Sequence, residues 1–119
     1  MVEKFKTILS TIQQQKGEVI FFGILKMDDA LDKWTVILSA PWASEATTKE
    51  DFEYIRNLLI STFNSEEISN IARLGILPKT SNLIQLLLKY QPNTEINADT
   101  PLNGNVIHEG HILASNSNI

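Results

Sequence analysis

The chain contains no cysteine, so thiolate nucleophiles, disulfides and thiolate metal sites are excluded, and a cytoplasmic setting is expected. It also lacks a long apolar run. The two longest, Val19 to Leu25 and Leu83 to Leu88, fall far short of the roughly 20 residues needed to cross a bilayer. The opening Met1-Val2-Glu3-Lys4-Phe5-Lys6 has no continuous apolar segment, so no export signal is expected and the protein should be soluble. Glycine is scarce and dispersed, at Gly17, Gly23, Gly75, Gly104 and Gly110, which leaves no glycine-rich phosphate loop. No serine stands in a Gly-x-Ser-x-Gly elbow, and Ser39, Ser44 and Ser115 have no such surroundings. Basic residues never occur three in a row, and the net charge is -4. A nucleic-acid surface would need Lys33, Lys49, Arg56, Arg73, Lys79 and Lys89 to converge on one face, and is disfavoured.

What is present is a core. With 119 residues, 43% of them hydrophobic, the chain fits one domain that can fold without staples. Its organising stretch runs from Glu18 to Trp42. Val19-Ile20-Phe21-Phe22-Gly23-Ile24-Leu25 is apolar at successive positions, as in a strand covered on both faces. Trp34-Thr35-Val36-Ile37-Leu38 is β-branched and aromatic in the same manner. The intervening Met27-Asp28-Asp29-Ala30-Leu31-Asp32-Lys33 supplies turn-forming and solvated residues, and the whole reads as a central β-hairpin.

Val2, Phe5, Ile8, Leu9 and Ile12 share one helical face ahead of this hairpin, and Gly17 closes that helix. After Ala40-Pro41-Trp42 ends the sheet pairing, Thr47 and Glu50 have capping-box spacing, and a helix is expected from about Thr48 to Phe63. Ile68 to Leu77 suits a short helix or a strand. Gly75 and Pro78 favour the strand. Ser81 can cap a buried helix, Leu83 to Tyr90, and Asn93 to Leu102 reads as an edge strand or ordered loop. Asn103-Gly104 is a type I′ hairpin signal leading to a last strand, Asn105 to Ser115, and the polar tail 116–119 is expected to fray. The order α-β-β-α-β-α-β-β predicts an α+β domain: a mainly antiparallel sheet of about five strands with two or three helices on one side. The other face of the doubly apolar first strand would then need a cover, which a second copy of the chain could provide.

Three clusters could carry chemistry. His108-Glu109-Gly110-His111 holds two histidines and a carboxylate, but the helical zinc motif spaces its histidines four apart and here the gap is three. On a strand His108 and His111 point to opposite faces unless a bulge intervenes at Gly110, and no third ligand is evident, so no metal site is expected. Asp28, Asp29 and Asp32 could gather around a hard cation, yet the longer acidic pattern of a calcium loop is missing, and solvated loop carboxylates are the plainer account. Trp34 and Trp42, with Phe21 and Phe22, form an aromatic group that could anchor a partner or could simply pack on the core.

No complete catalytic set emerges and no cofactor is expected, so an enzyme is disfavoured. The reading favoured by the sequence is a small non-catalytic protein–protein interaction or regulatory module. It would be inhibitor- or antitoxin-like in size and composition only, and homodimeric through its sheet, with Phe21, Phe22, Trp34 and Trp42 as the interaction surface. The alternative is a small-molecule binder or hydrolase, with a pocket near Trp34 or Trp42 and His108, Glu109 and His111 as its polar groups.

Overall fold

The strand Phe21–Met27 (β1) sits in the interior of a six-stranded sheet, with only Lys26 of its seven residues not fully buried. The computed structural model describes residues 1–30 and 32–119. Leu31, part of the expected hairpin connection, lies outside them. β1 pairs antiparallel with Trp34–Ser39 (β2), from Phe21 opposite Ser39 to Lys26 opposite Trp34, as the central hairpin requires. Around it the chain places the helices Val2–Lys16 (α1), Thr48–Thr62 (α2), Ser65–Ser69 (α3) and Asn82–Leu87 (α4). The remaining strands are Ile71–Ile76 (β3), Thr94–Ile96 (β4), Thr100–Leu102 (β5) and Asn105–Ser115 (β6). The strand order is β3-β2-β1-β6-β4, with β5 also paired to β6. All pairings are antiparallel except β2 with β3, which α2 and α3 connect as a parallel crossover. The α+β class and a mainly antiparallel sheet follow the sequence pattern.

Side chains alternate across this sheet and build two cores. On one face Phe22, Ile24, Val36 and Leu38 meet Phe5, Ile8 and Ile12 of α1 and Ile55 and Leu59 of α2. Phe5 lies 4.8 Å from Phe63 and 6.3 Å from Phe22 between ring centroids, in tilted arrangements that suit aromatic quadrupoles. On the opposite face Phe21, Leu25, Met27 and Ile37 meet Ile84 and Leu87 of α4, together with Ile96, Leu102 and Ile107. This corrects the expectation of helices on one side only. The chain covers the second face of β1 by itself, because α4 is apolar nearly all round and follows β3 directly.

Other differences are local. Within the segment Ile68 to Leu77 the strand is Ile71–Ile76, whereas Ile68 and Ser69 belong to the short helix α3, which Asn64 and Glu67 start with a reciprocal capping box. The box expected at Thr47 and Glu50 is instead built from Ser44 and Thr47, and Thr47 donates its hydroxyl to Asp51 Oδ2 at 2.7 Å. Asn103 and Gly104 take φ of 50° and 85°, the left-handed pair that a type I′ turn demands. In the tail, the Asn116 N–H donates to the Ile20 carbonyl at 2.8 Å, and Lys79 donates to Ser117 and Ile119 backbone oxygens.

Candidate functional site

β6 parts the two histidines of the His-Glu-Gly-His stretch. Lys26 pairs with Glu109 and Met27 with Ile107, so His108 is the extra residue of a bulge and swings out of the ladder. The irregularity falls at His108 itself, not at Gly110. There His108 Nδ1 meets Asp99 Oδ1 at 2.8 Å, and Nε2 contacts Asp28 Oδ1. Carboxylates only accept hydrogen bonds, so satisfying both requires an N–H at each ring nitrogen, which is the imidazolium. The Asp99 bond, and then the Asp28 bond, raise the His108 pKa above its ordinary value. Asp28 Oδ2 also accepts from the Val106 N–H at 3.2 Å. The cluster is a clamp between the hairpin connection and β6.

His111 lies on the other face. Its ring centroid is 5.8 Å from that of Trp34, Lys26 Nζ stands 4.6 Å from the Trp34 centroid, and Trp34 is only 6% exposed. His111 lines a cleft of about 220 Å³ with Val2, Lys6, Thr94, Glu95 and Leu113. Its Nε2 is 3.7 Å from Glu109 Oε2, longer than a hydrogen bond, so the pair is not set for proton transfer. The acidic connection likewise disperses: Asp28 turns to His108, whereas Asp29 accepts from Arg73 at 2.7 Å. Among the described residues no three His, Asp or Glu side chains are grouped to hold a metal ion.

The aromatic group does not form a surface. Phe21 and Phe22 are 0% exposed, one in each core, so neither offers a face to a partner. Trp42 is half-buried: it packs against the first core, donates its indole N–H to the Glu18 carbonyl at 3.0 Å, and has Lys16 over its ring.

An apolar groove lies elsewhere, between α2 and β3. One cavity of about 410 Å³ is lined by Leu59, Ile60, Ile68, Ile71 and Leu74 with Arg56 and Arg73 at its margin. A second, about 330 Å³, adjoins it and is lined by Phe52, Glu53, Arg56, Leu59 and Leu74. Ile60 at its rim is 54% exposed, a large apolar side chain left in water. Beside the groove, β3 is a six-residue edge strand, whereas β4 and β5 on the far side have three residues each. The sequence signal was Ile60 itself, which sits off the helix stripe Phe52, Ile55, Leu58, Leu59, Phe63.

No family model, curated protein or solved structure matches the chain. No helix among the described residues is long and apolar enough to cross a membrane.

Proposed function

We propose that this chain is a non-catalytic protein–protein interaction module, and that its docking surface is the open edge of β3 together with the groove between α2 and β3. The observation that carries this is the coincidence of a long unpaired strand edge with an apolar groove rimmed by exposed Ile60. A strand edge supplies main-chain hydrogen bonds, and a groove beside it supplies side-chain selectivity, which is how strand-addition surfaces work. Natural edges of this length are normally shortened, bulged or charged, and here Arg73 is the single charged side chain along the strand. A regulatory or inhibitory role suits such a domain, since it can act by occupying a partner.

The test is site-specific photo-crosslinking in the producing cell. A benzophenone side chain at Ile60 should yield protein adducts, while the same group at exposed Gln14 on α1 should not. Adducts equally abundant at both positions, or absent from both, would refute this surface.

A further inference from the structure

We infer that the occupant of this surface is a second copy of the chain, joined by antiparallel β3–β3 pairing about a two-fold axis at Gly75, with α2 crossing its own copy. The inference rests on the interaction reading above and names its partner.

The strand supplies the first half of the match. In a parallel pair alternate residues address the neighbouring strand. The Leu77 N–H donates to Leu38 at 2.9 Å, so Gly75 and Arg73 also face β2, and Leu74 and Ile76 direct their N–H and C=O groups outward. No proline interrupts Ile71–Ile76. A two-fold axis at Gly75 sets Leu74 opposite Ile76 of the second copy and Ile76 opposite its Leu74, so each outward donor meets an acceptor. Glycine on the axis leaves that close approach free of side chains.

The helix supplies the second half. An axis perpendicular to the sheet keeps both α2 helices on the same side, antiparallel across the dyad. The exposed ridge of α2 is Lys49, Glu53, Arg56 and Ile60, residues at alternating four- and three-residue spacing. Antiparallel crossing midway between Glu53 and Arg56 brings each Glu53 to Arg56 of the other copy, giving two reciprocal ion pairs. The same register lays the Lys49 stem over exposed Ile60. Neither Glu53 nor Arg56 has an ion-pair partner within one chain among the described residues. Glu53, Arg56 and Leu74 line the same cavity, so one axis serves strand and helix together.

The test is native mass spectrometry of the full chain over a concentration series, with Glu53→Arg, Arg56→Glu and the double exchange. The parent chain should be a dimer whose Leu74 and Ile76 amides exchange more slowly as concentration rises. Each single reversal sets like charges together twice and should raise the dimer dissociation constant about tenfold or more. Mixing the two single variants should form mixed dimers preferentially, and the double exchange should restore the homodimer. Unchanged circular dichroism in the single variants separates lost association from lost fold. A parent chain that stays monomeric, or a dimer indifferent to both reversals, would overturn the inference. If Ile60 cross-links only to a different protein, the interaction reading stands and the second copy is the wrong occupant.

Discussion

Asp28 and His108 stand 80 positions apart in the chain and are in direct side-chain contact, with Asp99 holding the other ring nitrogen. The raised His108 pKa gives this clamp a pH dependence of definite sign. Its stabilisation is complete below the ordinary imidazole value of 6.5 and is lost as pH rises through the raised folded-state value. Denaturant midpoints measured across that window should fall for the parent chain. The decline should narrow in Asp99→Asn and vanish in His108→Gln; a decline unchanged in His108→Gln would show that another group titrates.

Gly23 is fixed by crowding. A Cβ there would stand 2.9 Å from the Phe21 ring and 3.1 Å from the His111 carbonyl, and the carbonyl belongs to the ladder and cannot retreat cheaply. Gly23→Ala should therefore destabilise the fold by about 1–3 kcal/mol in urea unfolding, despite the modest change in side chain.

Much of the fold was legible because burial imposes simple periods. The run Phe21 to Leu25 is apolar at successive positions, and the structure covers both its faces. The cover, however, is α4, and nothing in a local pattern says against which face of a sheet a short apolar helix will lie. The His108 bulge was illegible for a related reason, since its register is set by Lys26 and Met27 on another strand. Beyond Ile60 the groove has no local sequence signature, because β3 and α2 acquire their shared surface only through the parallel crossover. Phe21 and Phe22 read equally well as surface anchors or core residues, because a sequence shows hydrophobicity without showing which neighbours consume it.

Since α4 is the cover of the second core, removing its anchor should act on the whole sheet. Ile84 is 0% exposed against Phe21 and Leu25, and Ile84→Ala should cost about 2–5 kcal/mol by thermal or chemical unfolding. A loss below about 1 kcal/mol would mean that α4 is not integral to the core.

Trp42 ties the turn after β2 to Glu18 and to Lys16 at the end of α1. Trp42→Phe removes the indole N–H bonded to Glu18 and keeps the ring. It should lower stability by about 0.5–1.5 kcal/mol while leaving the subunit count unchanged. A change in mass in solution at unaltered stability would return Trp42 to the interface.

The arrangement of β1 between β2 and β6 also dictates how the protein must be made. β2 follows β1 directly, but the partner for its other edge is Asn105–Ser115, which comes after every other strand in chain order. Until β6 is made, the nascent chain therefore carries a strand apolar on both faces with one edge unpaired, a state prone to aggregation. Closure of the sheet must wait for β6. Truncation before residue 105 removes the strand that covers the second edge of β1, so it should yield aggregates instead of a smaller folded protein.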